Sequence, residues 1–292
     1  MTEPVCVALA TCERLPDLDV DDEPLIRALV ERNVVVRIAS WTGPEAPFTT
    51  ADAVLIRSTW DYISQRPAFV AWARRVGSQT RLFNPAGVVD WNTDKHYLLE
   101  LSAKGLPVVP SVLVGAADSL VAVMEKHGFW DCVLKPIVGA GSEDTTRFGR
   151  DDVDGVQEFL RQQPSAREFL LQPFQQGISH GETSLIFLDG RLSHATLRRP
   201  RDGDFRSQPE FGSTVIAVEP RADQYAVALS ALNHVGEPVL YARVDLVDDD
   251  GGRPQLMEVE LVEPSLYFAQ CATAPGVLAD ALLRRVRMGS EP

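Results

Sequence analysis

The chain has 292 residues, 45% of them hydrophobic, and carries 28 Lys and Arg against 41 Asp and Glu, a formal net charge of −13. Such an acidic balance excludes a nucleic-acid or anionic-membrane surface as the working face, because either polyanion would be repelled. The length predicts two or three lobes rather than one core, and neither a leader-like N-terminus nor a membrane-length apolar run is read in it. Cys6, Cys12, Cys132 and Cys271 show no CxxC spacing, so reduced thiols in a cytoplasmic protein are expected rather than disulfides or a zinc site.

In chain order, a strand at 4–10, a helix at 24–31 and strands at 34–40 and 53–57 predict a parallel α/β lobe over residues 1–88. Its third strand runs into Arg57-Ser-Thr-Trp-Asp-Tyr62. Polar residues at the C-terminal end of a parallel strand usually border a binding crevice. A small α+β lobe is expected over 89–168, with a helix following Lys95, a strand at 108–114, a helix near 120–127, a strand ending at Lys135 and a helix near 153–162. The third lobe, 169–292, reads as largely antiparallel and is expected to open with the strand at 168–174.

Only four of the basic residues are lysine: Lys95, Lys104, Lys126 and Lys135. A chain that otherwise chooses arginine is expected to keep lysine where a compact ammonium matters. Lys104 and Lys126 precede Gly105 and Gly128, where a cation simply complements a helix C-terminus. Lys95 follows the helix-capping candidates Asn92, Thr93 and Asp94. Lys135 closes a strand just before the loop Ile137-Val-Gly-Ala-Gly-Ser-Glu143, whose Gly139 and Gly141 let backbone N–H groups approach a phosphate. The loop is not a Walker A sequence, since no Gly-Lys-Ser/Thr follows.

Asp189-Gly190 is a two-residue hairpin signal that places Glu182 and Arg198 together at the open end. The arginine-rich stretch 198–206 follows. Arg198 and Arg206 are anion-ligand candidates; for Arg199 and Arg201 a solvated loop is an equal reading. Gly177-Ile-Ser-His-Gly181 matches the G-x-S-x-G nucleophile elbow around Ser179, but a strand rather than the required helix is predicted after it.

The last clear feature is a hairpin, 241–247 and 255–262, turning about Gly251-Gly252. Period-two alternation sets Asp245 opposite Glu258 and Arg243 opposite Glu260 on one face, with Met257, Val259 and Leu261 on a core face. Facing carboxylates repel unless a cation sits between them. All-oxygen ligands of this kind suit Mg²⁺ or Mn²⁺ shared with phosphates.

Taken in order, Asn92-Thr-Asp-Lys95, Val133-Leu-Lys-Pro136 with its glycine loop, Leu171-Gln-Pro-Phe174, Gly181-Glu182, Arg243-Val-Asp245 and Glu258-Val-Glu260 resemble the ATP-grasp ligases, in their glutathione-synthetase-like branch. The resemblance covers nearly the whole chain. Within that branch, Arg57-Ser-Thr-Trp-Asp-Tyr62, Leu192-Ser-His-Ala195 and Gly203-Asp-Phe-Arg206 are similar to the O-ureidoserine cyclo-ligases of cycloserine biosynthesis. Glu260 departs from the Asn that many members carry, and Gly212-Ser213 departs from the paired glycines of glutathione synthetases.

The resemblance implies a three-lobed ATP-grasp fold with ATP between the last two lobes. Lys95 and Lys135 would hold the phosphates under Gly139, Gly141 and Ser142. Gln172, Pro173 and Phe174 would form the adenine hinge, and Glu182 would take the ribose. Asp245, Glu258 and Glu260 would bind Mg²⁺, with Mn²⁺ as the substitute. Arg198, Arg206 and Arg243 would neutralise the transferring phosphoryl group or orient the acceptor. Arg57, Ser58 and Asp61 would line the pocket for a small amino-acid-like substrate. The implied chemistry is carboxylate activation as an acyl phosphate followed by attack of nitrogen, from the same molecule in a cyclo-ligase or from a second one in an amide ligase. A serine hydrolase and a non-catalytic nucleotide-binding module are the rivals from other classes, and homodimerisation is left open.

Overall fold

The computed structural model describes residues 4–288. β1 (Cys6–Thr11), α1 (Glu23–Glu31), β2 (Val35–Ser40), α2 (Ala46–Thr49), β3 (Ala53–Ser58), α3 (Arg66–Gly77) and β4 (Arg81–Phe83) build the first lobe around a parallel sheet of order β2-β1-β3-β4. β3 is buried along its whole length, as expected of a strand covered on both faces. Phe69 and Trp72 of α3 pack with Trp41, Phe48 and Tyr62 over one side.

Then come α4 (Ala86–Asn92), α5 (His96–Ala103), β5 (Val112–Gly115), α6 (Leu120–His127), β6 (Asp131–Pro136), β7 (Thr146–Gly149), α7 (Val153–Arg161) and β8 (Glu168–Pro173). The central sheet is antiparallel, ordered β5-β8-β6-β7, and buries one face against α6 and α7. Two boundaries differ from expectation. β8 lies between β5 and β6, so the strand at 168–173 belongs to the central sheet and not to the third lobe. The strand expected at 108–114 shortens to four residues. Pro107 and Pro110 lack the N–H groups a ladder needs, and Val108 bridges instead to Leu256.

The third lobe holds β9 (Glu182–Leu188), β10 (Arg191–Arg199), β11 (Thr214–Val218), α8 (Ala222–Leu232), β12 (Tyr241–Asp248) and β13 (Pro254–Glu260), in an antiparallel sheet ordered β11-β10-β9-β12-β13. Asp189 and Gly190 both take positive φ, 51° and 74°, as the tight β9–β10 turn demands. One face of this sheet packs on α8 and, unexpectedly, on α5: Tyr97, Leu98 and Leu101 join Val244, Leu246 and Val259 in one core. The Lys95 helix therefore serves the third lobe. The final helix, α9 (Ala274–Met288), returns to the first lobe and packs Leu278 and Leu282 with Leu25 and Leu29 of α1. Among the described residues no helix is long and apolar enough to cross a membrane.

Candidate active site

The acidic hairpin folds in the expected register, Arg243 opposite Glu260 and Asp245 opposite Glu258. β13 is an edge strand, so half its backbone groups lack a sheet partner and need another. Asn92 accepts from Leu261 N at 2.7 Å and donates to Val259 O at 2.7 Å, while the Tyr97 hydroxyl exchanges hydrogen bonds with Val259 N and O at 3.0 Å. These side chains, from the segment around Lys95, fix the strand that presents Glu258 and Glu260. Asn92 is thus a strand clamp rather than a helix cap; Lys95 occupies the cap position of α5, and Asp94 before it accepts from His96 N at 3.1 Å. A bulge breaks the alternation: Asp245 pairs with Glu258 but Leu246 pairs with Leu256, leaving Met257 without a partner. Met257 consequently leaves the core face expected for it and lines the cavity, while Leu261 stays fully buried.

All three lobes surround a cavity of about 860 Å³. Its apolar lining includes Val109, Val133, Pro173, Ile178 and Met257; its charged lining includes Lys95, Lys135, Arg243, Glu258 and Glu260. The glycine loop adds Gly139, Gly141 and Ser142, the β10–β11 loop adds Arg206, and the first lobe adds Arg14, Asp19, Asp21, Trp60 and Tyr62. A concavity that sets an apolar wall against convergent charged groups is suited to a small, highly charged ligand. Gly141 takes φ of +59°, and a Cβ at Gly139 would meet Pro136 Cγ at 2.8 Å, so the loop's tight path after β6 depends on these glycines.

The two cavity lysines are nearly buried, Lys95 9% and Lys135 8% exposed. Lys95 Nζ lies 3.0 Å from Glu258 Oε1 and donates to Gly139 O at 2.7 Å. Burial opposes its charge, but Glu258 outweighs it and raises the ammonium above its ordinary value. Lys135 has no ion pair among the described residues. Burial pulls it down to about 8 against the attraction of Glu258, with Lys95 adding repulsion. Burial also opposes ionisation of Glu258, yet Lys95 and Lys135 hold it below the ordinary carboxylate value. Glu260 goes the other way. Burial, reinforced by Asp245 and Glu258, pushes it up to about 8 despite its ion pair with Arg243.

A cation fits some of the expected ligands and not others. Glu258 and Glu260 keep 27% and 29% of their side chains exposed at the cavity and offer oxygen donors suited to Mg²⁺. Asp245 is 4% exposed and does not line the cavity: Arg198 at 2.8 Å, Arg243 at 3.0 Å and Ser184 at 2.6 Å take its oxygens. Among the described residues no three carboxylate, imidazole or thiol groups form a ready cage. Of the three expected carboxylates, Glu258 and Glu260 reach the cavity, while Asp245 stands behind them fixing two arginines.

Other expected site residues are relocated too. Arg57, Ser58 and Asp61 lie outside the cavity lining. Arg57 is buried, bonded to Asp22 at 2.6 Å and to Pro264 O at 2.8 Å; Ser58 donates to Asp22 at 3.2 Å, and Asp61 accepts from Trp41 Nε1 at 2.7 Å. Their neighbours Trp60 and Tyr62 face the cavity in their place. Phe174 also turns away, since its N–H donates to Asp131 O at 2.8 Å and Arg147 covers its ring at 3.4 Å; Gln172, Pro173 and Gln175 line the cavity there. Arg198 is buried between Glu182, at 3.2 Å, and Asp245 rather than facing the cavity. Glu182 does line it, held by Arg198 and by the Ser207 hydroxyl. Arg206 lines it as well, paired with Asp204 at 2.9 Å and lying over Phe211. Ser179 sits on a short 3₁₀ turn with its hydroxyl donated to Gln176 O at 2.8 Å, and β9 follows at once, so no nucleophile elbow exists.

Sequence reasoning missed Arg14, Asp21 and Tyr267. Asp21 accepts from Leu266, Tyr267 and Phe268 N at 2.7–2.9 Å, tying the loop after β13 to the first lobe. Only the tertiary fold joins segments so distant in sequence.

Residues 99–266 match the family described as prokaryotic glutathione synthetase, ATP-grasp domain. With a fold of three lobes closing on one charged cavity, the chain belongs to the ATP-grasp carbon–nitrogen ligases. More narrowly, residues 7–84 match the N-terminal domain of D-cycloserine synthetase DcsG. The chain is 32% identical to the cycloserine biosynthesis protein DcsG of Streptomyces lavendulae, over 96% of its own length and 99% of that protein. The crystal structure of D-cycloserine synthetase DcsG superposes with a TM-score of 0.86 at 30% identity, covering 96% and 99% of the two chains. A D-alanine–D-alanine ligase from Bacillus anthracis, 15% identical with a TM-score of 0.72 over 97% and 98%, shares the fold.

Proposed function

We propose that this protein uses Mg·ATP to phosphorylate the carboxylate of a small amino-acid-like substrate and joins the activated carbonyl to a nitrogen, with O-ureido-D-serine as substrate and D-cycloserine as product. The observation that supports this best is the gathering of Lys95, Lys135, Arg243, Glu258 and Glu260 on one cavity, in a chain that matches DcsG along nearly its full length. Phosphoryl transfer is mostly positioning and charge stabilisation, which such a set supplies.

In this reading Lys95 and Lys135 hold the phosphates beneath Gly139, Gly141 and Ser142. The purine lies against Val109, Val133, Ile178 and Met257 beside Gln172 and Pro173, and Glu182 takes the ribose hydroxyls. Glu258 and Glu260 hold the divalent ion, Mg²⁺ with Mn²⁺ as substitute, which spreads phosphate charge when bound. Arg243 and Arg206 face the anionic acyl group. Arg198 holds Asp245 and Glu182 in place from behind.

The carboxylate oxygen attacks the γ-phosphorus and ADP leaves. The ring nitrogen then attacks the acyl carbon, and phosphate departs with one former carboxylate oxygen. Intramolecular attack gains from high effective molarity. Water finally releases the carbamoyl group as carbon dioxide and ammonia. The test is ADP release across a panel of amino acids including O-ureido-D-serine, with and without Mg²⁺ and with and without an added amine. Turnover with O-ureido-D-serine alone supports cyclisation. Dependence on an added amine supports the second reading, an intermolecular amide ligase, and ADP release with no carboxylate in the panel contradicts both.

A further inference from the structure

Just beyond the hairpin, Glu263 lines the same cavity where the first lobe meets the third. Trp60 Nε1 donates to the Glu263 backbone O at 3.0 Å, and Tyr62 beside the carboxylate favours its ionised form. Tyr62 is itself immobilised, 4% exposed and stacked on Phe69 with ring centroids 4.8 Å apart. A carboxylate in an ion pair commits an oxygen to its cation and is held at that partner. Glu258 is paired with Lys95, Glu260 with Arg243 and Glu182 with Arg198. Glu263 has no such cation within ion-pair distance among the described residues, and it lines the cavity with its backbone anchored by Trp60.

Resting on the ligase reading above, we propose that Glu263 is the proton acceptor for the attacking nitrogen, its backbone anchored by Trp60 and its side chain lying beside Tyr62. As the N–C bond forms and the C–O bond to phosphate breaks, the nitrogen's proton passes to a Glu263 oxygen, and phosphate leaves as the anion. Burial lifts this carboxyl to about 7, against the influence of neighbouring Tyr62 and the charge of Lys95. A base so placed is matched to work near neutrality.

The test separates the two half-reactions. With full-length enzyme, Mg·ATP and O-ureido-D-serine, hydroxylamine traps the acyl phosphate as a hydroxamate while cycloserine reports ring closure. Glu263→Gln keeps the shape and the Tyr62 contact but removes the base. The expected result is hydroxamate formation within about threefold of wild type and ring closure reduced by roughly 100-fold or more, with Glu263→Asp recovering part of the ring closure. Equal loss of hydroxamate and cycloserine, or a raised Mg²⁺ requirement for both, would overturn the role by making Glu263 a structural or metal-binding residue. Unchanged ring closure in Glu263→Gln would overturn it as well. Wild-type protein that forms neither product would instead remove the ligase reading itself, and this role with it.

Discussion

Lys95 and Lys135 face one cavity in opposite electrostatic conditions: Lys95 is paired with Glu258 at 3.0 Å, whereas Lys135 is nearly buried with no ion pair among the described residues. An unpaired buried ammonium is costly in the protein alone, and the cost is relieved when an anion arrives. Lys135→Ala is therefore expected to lower turnover by roughly 100-fold, the effect of removing one charge-stabilising donor, while leaving thermal stability unchanged or slightly raised. Steady-state ADP release together with a melting curve checks both halves.

The same lysine gives ATP binding a pH signature. Free Lys135 titrates at about 8, and phosphates beside it raise that value. Between the two values the complex holds more protons than the free protein, so binding takes up a proton and affinity falls as pH rises through about 8. Calorimetry near pH 8.5 in buffers of different ionisation enthalpy is expected to show this uptake. Lys135→Arg, permanently charged, is expected to abolish it.

Glu260 sets the opposite trend for the metal. Burial holds its carboxyl protonated up to about 8, and a divalent ion binds the ionised form. Binding thus displaces a proton, and Mg²⁺ affinity rises with pH toward about 8 before levelling. Glu260→Gln is expected to raise the Mg²⁺ concentration for half-maximal activity and flatten this dependence. Activity titrations with Mg²⁺ at pH values on either side of 7 measure it.

Asp245 distinguishes support from metal binding. It sits between Arg198 and Arg243, all three nearly buried. Asp245→Asn leaves two guanidiniums short of a counter-charge and is expected to destabilise the protein by about 3–5 kcal/mol. Glu258→Gln, at a partly exposed position, is expected to change stability far less while disrupting metal dependence. Denaturant unfolding of the two variants decides between these roles.

What the sequence revealed followed from local rules. Strand periodicity and the turn between two short strands place Asp245 and Glu258 on one hairpin, and the bulge at Met257 completes their pairing. The Asp189-Gly190 turn brings Glu182 and Arg198 to the same open end, and a bulge between Leu192 and His194 sets them opposite each other. The scarcity of lysine singled out Lys95 and Lys135, which the fold brings to one cavity. What stayed hidden depended on distant partners. Arg57 is buried because Asp22 and Pro264 meet it, and neither is near it in sequence. Phe174 turns from the cavity because β8 pairs with β6, which hands its N–H to Asp131. Met257 changes face because of a bulge that no alternation pattern encodes. Trp60 and Tyr62 reach the cavity while Arg57 and Asp61 of the same segment turn to Asp22 and Trp41, partners that only the tertiary fold supplies.

Carboxylate activation is tested most directly by the fate of oxygen. O-ureido-D-serine labelled with ¹⁸O in its carboxylate is incubated with the enzyme and Mg·ATP, and the inorganic phosphate is analysed by mass spectrometry. Activation through an acyl phosphate predicts one ¹⁸O atom in each phosphate released. Phosphate carrying no label, while ADP and cycloserine accumulate, would contradict it.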